Sequence, residues 1–262
     1  MTRRWILLLL FIGCLAGCGG PVDPVPPAEP PAEAPAEVPD DVSSLRTAKQ
    51  CGACHTEIYD EWLESYHGQA MADPLFLGLA PENKEECIRC HAPVPIREVD
   101  FDTPIARPDR RQDAVSCLTC HKTADGGMAG PHEGLTGLCQ PVYDPDQSSP
   151  VKMCFGCHNQ HDTGTEWLSG PYGPHASEPR KKPETTCLDC HMPVVERPLV
   201  PGGPVRRGRR HTFPGGHTFS QIEKAAALDV EVEALEGGGH RFRVFVTNIG
   251  AGHNIPTDAR HR

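Results

Sequence analysis

The sequence is poor in the residues that usually fill a protein core. Of its 262 residues, 38% are hydrophobic and only 6% are aromatic. Side chains alone therefore supply little apolar volume for a chain of this length, and we expect another group to occupy part of the interior. No apolar run approaches the length of about 18 residues that a membrane-spanning helix needs, so the sequence predicts no such helix.

Positive charge is also scarce, because 25 Lys and Arg residues stand against 35 Asp and Glu, a net charge of −10. Binding to nucleic acid, or to an anionic membrane surface through bulk charge, is therefore not expected. Cysteine and histidine are abundant instead, with 13 and 14 residues. That combination indicates a protein that binds a metal or a cofactor.

Residues 1–17 have the pattern of an export signal. Two Arg residues precede the apolar run 5–12, which is too short to span a bilayer. The run leads to Leu-Ala-Gly-Cys18, which resembles the lipobox of bacterial lipoproteins, where the Cys becomes the acylated first residue of the mature chain. We expect lipidation at Cys18 and a periplasm-facing protein of the bacterial envelope, with Gly19 slightly favouring the outer membrane. The alternative is an ordinary signal peptide that contains Cys14 and Cys18.

The next segment, 18–45, is predicted to be an acidic, proline-rich linker. Eight prolines lie between Pro21 and Pro39, interspersed with Glu residues. Such a composition cannot bury enough apolar surface to fold and prefers extended polyproline II structure. We interpret it as a stalk between the anchor and a folded domain over 46–220.

One pentapeptide pattern, C-x-x-C-H, occurs five times in the folded region. The motifs begin 36, 30, 37 and 33 residues apart. This is the attachment pattern of c-type haem: the two Cys form thioethers, and the His is the proximal iron ligand. The motif residues are Cys51, Cys54 and His55; Cys87, Cys90 and His91; Cys117, Cys120 and His121; Cys154, Cys157 and His158; and Cys187, Cys190 and His191.

Other interpretations of these cysteines are weaker. Zinc ribbons pair two C-x-x-C units and do not require a His after each one. A disulfide framework does not repeat one local pattern, and a thioredoxin-like pair occurs once. The sequence therefore predicts five covalently attached haem c groups, with about 28 residues for each between the first and last motifs. Only Cys139 lies outside the motifs and the signal region, and we interpret it as a simple thiol.

The sixth iron ligands decide whether such a protein only carries electrons or also binds a substrate. His67 is the leading distal candidate, because an apolar stripe over Thr56–Ala70 predicts a helix with His67 on its packed face. The helix would be too long for His67 to reach the iron of His55, so a different haem is expected. The remaining distal candidates are His132, His161, His175, His211 and His217.

The C-terminal part, 221–262, changes from helical to alternating periodicity. After a short helical candidate at Gln221–Ala227, two alternating segments flank a Gly-Gly-Gly turn, which predicts a β-hairpin. Two strands alone are only marginally stable. We therefore expect either the start of a truncated β-domain or a hairpin packed on the haem region. Before it, Arg206, Arg207, Arg209 and Arg210 are predicted to form a solvated basic loop, or a counter-charge for haem propionates or a docking partner.

The segment that begins at Cys51-Gly-Ala-Cys-His55 and continues through Trp62 and Ser65 to His67 resembles the cytochrome c-554 family, which includes the electron acceptor of hydroxylamine oxidoreductase. Cys187-Leu-Asp-Cys-His-Met-Pro193 is similar to the last motif of that group, and Val246–Thr257 is similar to a β-segment that often follows the haem region. The resemblance implies a mainly α, loop-rich fold organised around stacked haems, with largely bis-His iron, followed by a small sandwich-like β-segment.

The function expected from the sequence is electron transfer by a lipid-anchored pentahaem cytochrome. Its partners would be redox proteins of the envelope, and the lipid at Cys18 would attach it to the membrane. One alternative is an oxidoreductase that acts on a small nitrogen or sulfur oxyspecies at one five-coordinate haem. Another is a tethered docking subunit that passes electrons to a larger complex.

Overall fold

The computed structural model of the chain describes residues 44–79, 85–132, 141–143, 150–160, 162–177 and 185–257. The predictions that concern the export signal, Cys18, most of the linker, Cys139 and His161 lie outside these residues. Within them, no helix has both the length and the apolar character needed to cross a membrane.

Short α-helices are the main regular structure of the described chain up to residue 225. A 3-10 turn at Arg111–Asp113 precedes the fifth helix. The mainly helical, loop-rich class predicted from the sequence is thus confirmed for this part. The helices are α1 (Ala48–Gly52), α2 (Thr56–Leu63), α3 (Pro74–Leu79), α4 (Glu85–His91), α5 (Cys117–His121), α6 (Pro150–His158), α7 (Thr163–Ser169), α8 (Cys187–His191) and α9 (Phe219–Ala225).

The described strands form three two-stranded sheets. Strands β1 (Met128–Gly130) and β2 (Pro141–Tyr143) are parallel. Strands β3 (Val194–Pro198) and β4 (Val205–Arg209) are antiparallel. The latter pair shows that the prediction of a basic loop at 206–210 is wrong over most of its length, because β3 supplies backbone partners that the local charge pattern does not reveal.

The predicted C-terminal hairpin is present as β5 (Ala226–Ala234) and β6 (His240–Asn248), which pair in antiparallel register from Ala226–Asn248 to Ala234–His240. Residues that pair across the strands share a face, so one face of the hairpin is apolar and the other is polar. The large apolar side chains of that face are all more than half exposed, namely Leu228, Val230, Val232, Phe242, Val244 and Val246.

Helix α2 ends at Leu63, so the prediction of a helix extending to Ala70 is wrong. The Ser65 hydroxyl donates to the Trp62 carbonyl at 2.7 Å and accepts from the Gly68 amide at 3.2 Å. These local bonds replace helical ones, as Ser side chains commonly do at helix ends. His67 therefore lies in a turn, where its carbonyl accepts from the Val115 amide at 3.2 Å, beside the third motif.

The side-chain core is small, as the composition predicts. Phe76, Ile88 and Ala92 form a buried cluster against which Met71, Cys87 and Ala106 pack. The other buried hydrophobic residues among those described are Leu45, Ala48, Trp62, Ile96, Ala114, Leu118 and Ala129. Several of these are alanines, so the core places little apolar volume between the motif-bearing helices.

Candidate haem-binding site

Each C-x-x-C-H motif lies on a helical turn. His91, His121, His158 and His191 are the last residues of α4, α5, α6 and α8, whereas the first motif runs from the end of α1 to His55, the residue before α2. Cysteines three residues apart therefore project from one side of a turn, as the thioether attachment of a haem requires.

The second variable position of the third and fifth motifs helps to start the helix that carries each motif. The Thr119 hydroxyl accepts from the Ser116 amide at 3.1 Å, and the Asp189 carboxylate accepts from the Thr186 amide at 2.8 Å. Both contacts belong to capping boxes, which satisfy amides that have no partner within the helix. The helix start is thereby fixed directly next to the first Cys of these two motifs.

In four of the five motif histidines, the same kind of hydrogen bond holds the imidazole ring in place. In each, Nδ1 lies within hydrogen-bond distance of a backbone carbonyl, which can only accept, so Nδ1 carries the proton and Nε2 keeps its lone pair. This is the tautomer that an imidazole needs to bind iron through Nε2, and such bonds also fix the ring's orientation. The bonds are His55 to Leu199 O (2.8 Å), His91 to Ala70 O (2.9 Å), His121 to Ala129 O (2.8 Å) and His191 to Pro214 O (2.7 Å).

Three motif histidines each face a second imidazole, and the distance between the ring centroids is nearly the same in all three pairs. The ring centroids of His158 and His67 are 6.0 Å apart, and those of His121 and His211 are 6.3 Å apart. The centroids of His191 and His253 are also 6.3 Å apart, with the rings only 15° from parallel.

This spacing fits two imidazoles that share one metal ion. Metal–nitrogen bonds of about 2.0 Å, with about 1.1 Å from each nitrogen to its ring centre, place the two centroids roughly 6.2 Å apart across the ion. The donor sets are pairs, since no group of three or more His, Cys, Asp or Glu side chains in the described chain is placed to hold a metal ion. Two axial imidazoles are the set that a porphyrin iron takes, so these residues fit haem.

Two of the three second imidazoles have the ligand tautomer as well. Nδ1 of His211 donates to Arg209 O at 3.1 Å, and Nδ1 of His253 donates to Asn254 O at 2.9 Å. Burial lowers the pKa of His67 to about 3, with a further contribution from the neighbouring His158. Burial likewise lowers the pKa of His211 to about 4. Neutral imidazole, the form that ligates a metal, is therefore the resting form at these positions.

Phe213 separates two of these distal imidazoles. Its ring lies 4.2 Å from the His67 ring and 5.9 Å from the His211 ring, which it meets edge-on. The backbone of Phe213 has φ +46°, which a bulky residue rarely adopts. The surrounding structure thus holds an aromatic spacer in a strained conformation between two candidate ligands.

The remaining predicted distal ligands have different surroundings. The His217 ring stacks on Tyr66 at 4.2 Å. In the described ranges, neither His132 nor His175 is paired with a motif imidazole at about 6 Å, and His161 lies outside those ranges. Their ligand roles stay predictions. His253 is not among the distal candidates selected from the sequence. The signal that could have found it is its loop, Gly-Ala-Gly-His253, directly after a strand.

Thiols of different motifs contact one another. Cys51 hydrogen-bonds Cys117, which joins the first and third motifs. Two further thiol pairs join the fourth motif to its neighbours: Cys157 bonds Cys90 of the second motif, and Cys154 bonds Cys187 of the fifth. Burial raises the pKa of Cys120 to about 11, and this thiol lies close enough to both fourth-motif cysteines to influence their ionisation. The five attachment points therefore lie side by side.

Residues 50–122, which include the first three motifs, match the model of the family described as cytochrome c554 and c-prime. No curated protein and no solved structure matches the chain significantly. The family resemblance predicted from the sequence is thus confirmed over this segment, and it supports a c-type cytochrome that binds haem covalently and transfers electrons.

Proposed function

We propose that the whole chain is a pentahaem electron carrier anchored to the bacterial envelope by a lipid at Cys18. The proposal starts from the segment 50–122, which matches the cytochrome c554 family model. The observation that carries the proposal is the set of paired imidazoles at 6.0–6.3 Å, each pair containing one motif His. The motif Cys residues would tether the porphyrins, and the bonds from Nδ1 to backbone carbonyls would orient the proximal imidazoles. Bound in these positions, haem iron supplies a reversible one-electron couple.

The distal pairings His67 with His158 and His211 with His121 favour a carrier over a catalyst at these motifs. Two strong protein ligands leave no coordination position for a substrate. The protein contributes orientation and exclusion of water, through buried rings and the Phe213 spacer. Electron exchange needs no further group to move.

The thiol contacts support a relay in which the fourth motif has the most neighbours. Its cysteines contact the second and fifth motifs directly and interact with Cys120 of the third, which is joined to the first through Cys117 and Cys51. Closely spaced redox centres are what electron transfer along a protein requires. We propose that envelope redox proteins supply and withdraw the electrons, whether the protein acts alone or as the docking subunit of a larger complex.

The experiment that tests this proposal is a count of haem and lipid on the mature chain. The full chain is expressed in a host competent in cytochrome maturation, and intact-protein mass spectrometry should show five haems and acylation at Cys18. A Cys18→Ser variant is the control for the lipid. Fewer than five haems would overturn the pentahaem proposal, and an unacylated mature chain would overturn the anchor.

One observation favours oxidoreductase activity at a second-motif haem as the alternative. In the described residues, no imidazole is paired with His91 at about 6 Å, and its ring instead stacks on buried Phe76 at 3.9 Å and 15°. Without a second imidazole, the iron held by His91 would keep one coordination position for a small nitrogen or sulfur oxyspecies. Carbon monoxide titration of the reduced protein distinguishes the two: binding that Phe76→Ala alters supports the alternative, whereas no binding excludes it.

A further inference from the structure

The segment after the hairpin places an imidazole opposite the last motif. The His253 ring lies 6.3 Å from the His191 ring and 15° from parallel to it, although 62 positions separate the two in the sequence. Nδ1 of each donates to a carbonyl, Asn254 O and Pro214 O, which leaves the lone pair on both Nε2 atoms.

Hydrogen bonds hold the loop that carries His253 on both sides of this residue. On one side, Asn248 donates from its amide group to His253 O at 2.7 Å and accepts from the Ala251 amide at 2.9 Å. On the other side, Glu166 of α7 accepts from the Asn254 backbone amide at 3.1 Å, and from the Asn254 side chain at 2.7 Å. Glu166 also accepts from the Thr257 hydroxyl at 3.0 Å. The imidazole is thus held between two sets of hydrogen bonds.

Backbone packing also locates this loop against the haem region. A Cβ atom at Gly170 would overlap the carbonyl oxygen of Gly252, and one at Gly252 would lie 2.9 Å from Trp167 and 3.0 Å from Tyr172. The Tyr172 hydroxyl donates to Gly250 O at 3.2 Å. The two glycines therefore permit a close approach that any side chain would prevent.

We propose that His253 is the sixth ligand of the iron held by His191, so that the C-terminal segment completes the fifth redox centre. This inference rests on the proposed function. The matched family segment ends at residue 122, so it does not assign this ligand. Helix α7, which follows the fourth motif, then positions the distal ligand of the fifth, through Glu166 and the glycine contact.

The test is the spin state of the oxidised full chain. In His253→Ala, we expect the five haems to remain attached. The high-spin ferric signal should increase, relative to the parent protein, by an amount equal to one fifth of the iron. Added imidazole should restore the low-spin signal. His240→Ala removes the exposed histidine at the other end of β6 and is the matched control, for which a parent-like spectrum is expected.

A His253→Ala spectrum identical to that of the parent, with five haems present, would overturn this assignment and leave the electron-carrier proposal intact. A parent without five haems would instead contradict the proposed function. If His253→Ala does not accumulate, His253→Met provides the same test with a ligand retained. Since His/Met ligation raises the reduction potential, one haem should then titrate at a higher potential than in the parent. Unchanged potentials would also overturn the assignment.

Discussion

The carboxylate of Glu61 accepts two hydrogen bonds from the guanidinium of Arg197, each 2.8 Å long. Both side chains are largely buried, with 12% and 8% exposed. The same carboxylate accepts from the backbone amide of His211 at 2.9 Å. Burial opposes ionisation of Glu61, but the bonds from Arg197 and His211 outweigh it and hold the pKa of Glu61 below its ordinary value. A charge on α2 thus fixes the backbone of a candidate distal ligand.

We expect Glu61→Ala to destabilise the protein by about 3 kcal/mol, because it leaves the buried Arg197 charge without its main partner. It should also loosen His211 and raise the high-spin fraction of the haem at the third motif. Glu57→Ala is the control, since Glu57 is exposed and lies 3.8 Å from the same guanidinium, which predicts a change below about 1 kcal/mol. Urea unfolding and electron paramagnetic resonance check both effects. Equal effects of the two substitutions would contradict the role given to Glu61.

Asp113 predicts a pH dependence of stability. Its carboxylate accepts from the buried Ala48 amide at 3.0 Å, in the first turn of α1. Burial raises the pKa of Asp113, although the Ala48 bond and the positive charges of Arg107 and Arg110 partly oppose this. The native state therefore holds the Asp113 proton more tightly than the unfolded chain does. Its contribution to the free energy of unfolding is greatest below the unfolded pKa and falls as pH rises through the native value.

In Asp113→Asn this decrease with rising pH should disappear, while the amide oxygen still accepts from Ala48. Asp113→Ala should instead cost about 1–3 kcal/mol, because it leaves a buried N–H without an acceptor. Urea unfolding at a series of pH values between 3 and 8, on holo-protein, measures both. A parallel pH profile for parent and Asp113→Asn would show that Asp113 does not cause the dependence.

Local patterns in the sequence predicted the parts of the fold that depend on neighbouring residues. The C-x-x-C-H spacing predicted a helical turn at each motif, and the alternation on both sides of Gly237-Gly-Gly predicted β5 and β6. The helix predicted over Thr56–Ala70 was too long. The periodicity of apolar residues does not reveal that the Ser65 hydroxyl bonds the Trp62 carbonyl in place of a helical backbone amide. The imidazole pairs could not be predicted, since His67 and His158 are 91 positions apart and no local pattern encodes their contact.

The small core predicts that folding depends on haem attachment. Within the described ranges, the buried cluster consists of Phe76, Ile88 and Ala92. Cofactor-binding energy contributes directly to the stability of the folded state when the unfolded chain lacks the site. Chain produced without the maturation machinery should therefore show no cooperative urea transition and should be cleaved rapidly by protease across 46–220, whereas the mature protein resists cleavage. Comparable protease resistance of the two forms would contradict this dependence.

The contacts of the fourth motif predict that its loss divides the relay. Cys157 contacts Cys90 and Cys154 contacts Cys187, so removing the haem of the fourth motif separates the second and fifth motifs from the pair formed by the first and third. We expect Cys154→Ala/Cys157→Ala to convert a single phase of reduction by a rapidly mixed reductant into several.

The matched control, Cys187→Ala/Cys190→Ala, also removes one haem but takes it from an end of the network. Its four remaining haems should still be reduced in a single phase, because their attachment points stay in contact. A single phase in both variants would mean that electrons reach the haems independently, and the fourth motif would then have no special place in the relay.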